Sequence, residues 1–228
     1  MNENVSIITV LFNYPQDYTP TFFNNAKKYF PLENLHIARF SNLIETTCYY
    51  EKLYFYKIEM LKTYIENNIK TEYIVFLDAT DTNFLGDTGN LVEKFKKFNC
   101  SILFCAEKGL WPPTDYNHLY NNKTNIGEKI YLNSGAYIGY KDKLLNHLND
   151  IINNPRGHKD DQAKWAIQYL QNTDIVLDQN CEIFFSSYLN KEDVVIENNK
   201  VLLKNYNACI VHDNGGYNDS TVKLVPLL

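Results

Sequence analysis

The chain predicts an α/β fold with a mixed central sheet, on three observations. Its opening reads strand, helix, strand, because apolar runs over Val5–Phe12 and 34–40 flank a helical stretch at 21–30. A wholly apolar run, Tyr73–Leu77, follows a long helical segment and ends on a carboxylate, as a buried strand does when it meets a crevice. The last part alternates short apolar runs at 175–177, 183–185, 194–196, 201–203 and 209–211, which suits partly antiparallel pairing.

Between these landmarks each element has its own signal. Over 50–65, Tyr50, Leu53, Tyr54, Ile58, Leu61 and Ile65 recur at three and four, giving one apolar helical stripe. Asp87 or Thr88 can cap a helix running to Phe98, and 101–105 reads as a strand. Trp111-Pro112-Pro113 stops regular structure and opens a loop-rich insertion. A polar stretch at 131–135 leads into a short strand at 136–140, and helices follow over Lys141–Asn153 and 161–170.

With 228 residues, 45% of them hydrophobic, the chain can bury one substantial core, and no repeat or linker divides it. Residues 1–228 are therefore expected to form a single domain. A net charge of -5 with scattered lysines excludes a general nucleic-acid binder, which needs a basic stripe to displace counterions. The first residues lack a basic segment and an apolar segment long enough for a leader or a membrane span. A cytoplasmic or soluble intracellular location, without a membrane partner, is the expectation. Five cysteines, an odd number without regular spacing, fit buried thiols better than a disulfide framework.

The chemistry concentrates at two strand ends. Asp78 and Asp81 close the first run, and far along the chain a second run ends on His212, followed by Asp213, Asn214, Gly215 and Gly216. Two carboxylates and one imidazole form a mixed oxygen and nitrogen set that suits Mn²⁺ or a similar first-row ion better than Ca²⁺. A diphosphate can fill the remaining positions.

Seven segments in order carry a resemblance: Lys52 to Met60, Phe76 to Asp81, Cys105 to Glu107 with Trp111, Leu132 to Gly139, Asp160 to Gln162, Leu177-Asp178 with Ile183-Phe184, and Val211 to Gly215. Their order resembles the glycosyltransferase domain of multifunctional procollagen lysyl hydroxylases, over nearly the whole chain. The resemblance implies a GT-A type, Rossmann-like glycosyltransferase that moves glucose from UDP-glucose to galactosyl-hydroxylysine of collagen, with retention and with Mn²⁺. It implies Asp78, Asp81 and His212 as metal ligands. It places Lys52, Thr9, Thr80, Asn214 and Gly215 on the nucleotide side, and Trp111, Asn133, Asp160 and Asp161 on the sugar and acceptor side.

Elementary chemistry supports such roles. A divalent cation and one ammonium group stabilise charge where it grows on a departing diphosphate, which Lys52 would supply. Asp160 and Asp161 suit a helix cap and first-turn acid as well as a carboxylate near the anomeric carbon. Trp111 suits a loop plug or a pyranose platform.

Three departures from the family matter. Thr80 stands where a tyrosine is usual, the acidic run before Gln162 is reduced to two residues, and Asp213 follows His212, which would put another carboxylate near the metal. Nothing in the chain matches the family's hydroxylase domains, so no iron-dependent hydroxylation is expected, and the chain looks like stand-alone relatives of bacteria and large DNA viruses. Three other readings remain open: a UDP-sugar transferase with another glycan or protein acceptor, a sugar-nucleotide-binding module without turnover, and a phosphatase. The phosphatase is disfavoured because its paired aspartates normally stand two apart, whereas Asp78 and Asp81 stand three apart.

Overall fold

A strand buried on both faces must find partners for its main chain on both edges, and β1 (Val5–Phe12) does so near the middle of a sheet. The computed structural model describes residues 4–40, 49–86, 88–123, 127–154, 160–197 and 200–214, leaving aside the side chains of 49–55 and 200. In chain order the elements are β1, α1 (Phe23–Ala26), β2 (Leu35–Phe40), α2 (Tyr49–Asn68), β3 (Tyr73–Leu77), β4 (Thr82–Phe84), α3 (Leu91–Lys96), β5 (Ile102–Glu107) and β6 (Tyr131–Tyr140). Then come α4 (Lys141–Asn153), α5 (Asp161–Gln171), β7 (Ile175–Asp178), β8 (Phe184–Ser186), β9 (Val194–Glu197), β10 (Lys200–Leu203) and β11 (Ile210–His212).

The large sheet has the order β2-β1-β3-β6-β5-β7. Strands β2, β1 and β3 are mutually parallel, and β6 runs antiparallel to both β3 and β5, so the sheet is mixed as expected. Alternation along the strands sends Ile7, Val75, Leu103 and Ile138 to one face, with Phe22, Phe30, Phe95 and Phe184 packed there. The other face carries Ile8, Phe76, Phe104 and Tyr137 under α2, α4 and α5, through Ile58, Leu61, Ile65, Leu148 and Trp165. Phe76 stacks on Tyr137 with centroids 4.9 Å apart, and Phe104 meets Trp165 at 5.1 Å. Contacts of this kind add about 0.5–1.5 kcal/mol each beyond the area they bury. A three-stranded sheet, β4-β11-β8, lies on the first face, and β9 and β10 pair as a separate antiparallel ribbon.

Several boundaries differ from the sequence expectation. The helix expected over 21–30 shrinks to the four residues of α1, because Phe22, Phe23, Asn24 and Asn25 are weak helix formers and short helices are marginal alone. The helix expected from Asp87 or Thr88 starts only at Leu91, after Gly89 and Asn90, and no side chain caps it; Asp87 lies outside the described residues. Directly after Asp81, where the residues carry no strand signal, lies strand β4, buried at all three positions and paired to β11. The two pieces expected over 131–140 form one strand, whose register against β5 shifts between Phe104 and Cys105. Cys100, Cys105, Cys181 and Cys209 are buried thiols outside any disulfide, as composition suggested. Among the described residues no helix is long and apolar enough to cross a membrane.

Candidate functional site

From β1 the chain reaches β2 on one side and, through α2, β3 on the other, so the sheet order reverses between the carboxyl ends of β1 and β3. Open α/β sheets bind ligands at such a switch point. Asp78 stands there, its main-chain N–H donating to Gly135 O at 2.8 Å. Asp81 follows in the turn before β4, and its carbonyl accepts the N–H of Asp213 at 2.7 Å. His212 pairs with Thr82 in the β4/β11 register, which brings its ring beside that turn. One ligand atom each from Asp78, Asp81 and His212 lies within 4.8 Å of the others. His212 Nε2 is 3.4 Å from Asp81 Oδ2 and 3.9 Å from Asp78 Oδ2.

The imidazole is aimed by its other nitrogen. Asn133 Oδ1 accepts the Gly135 N–H at 3.0 Å, and Asn133 Nδ2 donates to Glu107 Oε2 at 3.1 Å, which settles which end of the amide is oxygen. The His212 Nδ1, 2.7 Å from that oxygen, must therefore donate, and Nε2 is left to face the carboxylates as a ligand would. Gly135 makes room for the ring: a Cβ there would lie 2.1 Å from His212 Cε1. Glu107 is buried and accepts from Gln162 Nε2 at 2.8 Å and Asn214 Nδ2 at 2.7 Å besides Asn133.

Lys57 joins the metal group to the acidic pair. Its Nζ lies 3.0 Å from Asp78 Oδ1 and 2.8 Å from Asp161 Oδ2, with only 14% of its side chain exposed. The resemblance gives the ammonium role to Lys52, whose side chain lies outside the described residues, and gives Lys57 none. A signal was available, since Lys57 stands three after Tyr54 and four before Leu61, within the apolar stripe of its own helix. The resemblance assigns no role to Glu107 either.

These groups line a pocket of about 550 Å³, a size suited to a small ligand. Asp160, Asp161, Trp111, Asn133 and Asn214 also line it. Asp160 is the N-cap of α5, accepting from Ala163 N at 3.1 Å, so the cap reading holds for that residue while it still faces the pocket. Asp161 is buried, held by Lys57 and by Ser134 Oγ at 3.3 Å. Trp111 is 65% exposed at the mouth, so it plugs no core. Thr80 is exposed at the tip of the aspartate turn. Thr9 is buried in β1, outside the pocket lining, and its hydroxyl has no hydrogen-bond partner among the described residues. Gly215 lies outside the described residues. Asp213 does not join the metal group; its carboxylate accepts from Ser187 Oγ at 2.6 Å.

Burial pushes the Asp78 carboxyl above its ordinary value, more than Lys57 pulls it down. Burial acts the same way on Asp81, but the charge and hydrogen bond of His212 outweigh it and leave the carboxyl low. Burial alone would lower His212, and Asp81 with Asp78 raises it instead. Burial also lifts Glu107 despite its three amide donors, and lifts Asp160 with help from Asp161. Five carboxylates around one ammonium and one imidazole thus crowd negative charge into the pocket, which a divalent cation would relieve. The fit is specific at one atom: Asp81 Oδ1 is buried without a hydrogen-bond partner among the described residues. Polar atoms are seldom left that way, and a cation would satisfy it.

The family described as the PLOD GT domain matches residues 54–224. An uncharacterised protein, R699, of Acanthamoeba polyphaga mimivirus is 29% identical over 163 residues, which span 70% of this chain and 35% of that one. Procollagen-lysine,2-oxoglutarate 5-dioxygenase 2 of Mus musculus is 31% identical over 170 residues, again 70% of this chain but 22% of that protein. The human counterpart is 30% identical over 172 residues, with the same shares. The chain therefore spans between about a fifth and a third of the length of these relatives. In fold it is similar to a glycosyltransferase involved in the glycosylation of the major capsid of PBCV-1, with a TM-score of 0.55, 14% identity, and 92% and 93% of the two chains covered.

Proposed function

The chain belongs to the PLOD GT domain family, and from that premise we propose that it transfers glucose from UDP-glucose to galactosyl-hydroxylysine of a collagen or collagen-like acceptor, with retention and with Mn²⁺ as cofactor. The relatives named for procollagen-lysine support the acceptor class, and the ligand set supports the metal. The observation that carries the reading is the single pocket in which Asp78, Asp81 and His212 meet Lys57 and Asp161.

In this reading Asp78, Asp81 and His212 hold the ion, which when bound supplies positive charge against the diphosphate of the donor. Lys57 adds an ammonium beside Asp78, where charge develops on the leaving UDP. Lys57 also fixes Asp161, whose carboxylate stabilises oxocarbenium-like character at the anomeric carbon. Asp160 orients the acceptor hydroxyl, and Trp111 supplies a ring face for a sugar at the mouth. Thr80, Lys52, Asn214 and Gly215 belong to the nucleotide side, with Thr9 buried in the strand behind it and outside the pocket lining.

A UDP-release assay across a panel of sugar nucleotides, with and without galactosyl-hydroxylysine and Mn²⁺, tests this. UDP-glucose should give the fastest release, dependent on both metal and acceptor. Asp81→Ala or excess EDTA should abolish it while circular dichroism stays unchanged. Turnover undiminished by EDTA would refute the metal role, and release of inorganic phosphate from monoesters would point to a phosphatase instead.

A further inference from the structure

Strand β1 runs parallel beside β3, with Ile8 level with Phe76, so the loop that leaves β1 starts at the same end of the sheet as the aspartate turn after β3. That loop carries Tyr14 and Tyr18, whose rings meet with centroids 4.5 Å apart and planes tilted by 38°. It is held from three directions. Asn13, at φ 55, donates its N–H to Phe40 O at 2.9 Å. The Arg39 guanidinium donates to Pro15 O at 3.2 Å and to Tyr18 O. Thr21 reaches across to the aspartate turn, its N–H donating to Ala79 O at 3.0 Å and its hydroxyl to Thr82 O at 2.8 Å. The aromatic pair is thus fixed, with Tyr14 42% exposed, while Asp81 is close enough for its charge to act on the Tyr18 phenol.

We propose that Tyr14 and Tyr18 form the stacking surface for the nucleobase of the donor. The inference rests on the nucleotide-sugar reading above and adds to it the base subsite. A diphosphate held through a cation on Asp78, Asp81 and His212 would have two ends. The end toward Lys57, Asp161 and Trp111 leads into the pocket and takes the sugar. The nucleoside must leave on the other side of the switch point, toward the carboxyl end of β1, where the tyrosine pair stands. Thr80, exposed at the tip of the aspartate turn, offers no ring of its own. A prearranged aromatic pair offers a π-face to any base at little ordering cost.

The test compares two ligands on the same protein by calorimetry in the presence of Mn²⁺. UDP carries the base; inorganic pyrophosphate does not. In Tyr14→Ala and Tyr18→Ala, UDP should bind about tenfold more weakly or worse, whereas pyrophosphate should bind as it does to the wild type. Tyr14→Phe and Tyr18→Phe, which keep the ring, should bind UDP within about twofold of wild type by the same stacking argument. UDP affinity unchanged in both alanine variants would overturn the base subsite and leave the transferase reading standing. A wild-type protein that binds pyrophosphate but prefers it to UDP would instead overturn the nucleotide-sugar reading itself. Should Tyr18→Ala fail to fold, Tyr14→Ala, which removes a ring already 42% exposed, decides the matter alone.

Discussion

The Nδ1–H of His212 donates to Asn133 Oδ1 across 2.7 Å, a bond spanning 79 residues of sequence that fixes which ring nitrogen faces Asp78 and Asp81. Asn133→Ala removes the partner and lets the ring turn. Metal affinity should fall by about 10- to 100-fold, as it does when the outer hydrogen bond of a ligating histidine is lost. Mn²⁺ titration of the variant checks this, and unchanged affinity would show that packing alone aims the ring.

Gly135→Ala should damage the same site by crowding. The added methyl would sit 2.1 Å from His212 Cε1, closer than real carbons approach, so the ring must shift. Because the strand itself can persist, the loss in Mn²⁺ affinity should exceed the loss in thermal stability. Parallel titration and melting of one sample separates the two; equal native behaviour in both would mean the ring has room that the structure does not show.

Lys57→Ala leaves the carboxylates of Asp78 and Asp161 without their shared cation. Breaking one side of a buried ion pair costs about 3–5 kcal/mol. Chemical denaturation should show a large share of that figure, and transfer should fall further than UDP affinity, since charge on UDP is greatest in the transition state. Lys57→Arg should not restore activity, because a flat guanidinium cannot replace a point charge in that position. Native stability in Lys57→Ala would remove the residue from this role.

Trp111→Ala should act on transfer alone. With 65% of its surface exposed the indole contributes little to the core, so the melting temperature should hold while the KM for the acceptor rises. Stacking on a ring is worth about 0.5–1.5 kcal/mol. Kinetics at varied acceptor and fixed UDP-glucose measure the effect, and a matching loss in donor affinity would move Trp111 to the nucleotide side.

A pH effect is expected away from the site. Burial holds the His36 imidazole below its ordinary value, so the fold accommodates the neutral ring better than the charged one. Its contribution is fully present above the unfolded value of about 6.5 and is lost as pH falls through the lower folded value. Wild type should therefore lose more thermal stability than His36→Gln between about pH 7 and about pH 5, within which an unperturbed histidine titrates. Identical pH profiles would show that His36 is relieved by its surroundings.

Elements with a strong period were legible from the residues. Val5–Phe12, Tyr73–Leu77 and Lys141–Asn153 coincide with the observed β1, β3 and α4, since continuous apolar runs and a three-four stripe leave few alternatives. Strand β4 was not legible, because Thr82-Asn83-Phe84 is too short to carry a period and is a strand only by virtue of its partner β11. The three members of the metal group were visible as acids and an imidazole at strand ends. Lys57 was obscured by its type, since a lysine on a helix is ordinarily solvated; its place in the apolar stripe was the one sequence hint, and the placement of Asp161 opposite it gives that hint its meaning. The links from Glu107 through Asn133 to His212 were hidden for the same reason, being made between segments that sequence spacing cannot bring together.

Asp81 stands in the turn that enters β4 and His212 ends β11, the strand paired to it, yet 131 positions separate them along the chain. A chain that has folded only as far as β3 can present both carboxylates but has no imidazole to offer. An ion held by all three side chains would therefore bind tightly only when β11 has docked against β4, and by mass action its binding would favour that docked state over every partly assembled one. Metal in the growth medium should then act on the yield of correctly assembled protein as well as on its chemistry, so that a preparation made under chelation would contain more chains with an unseated last strand.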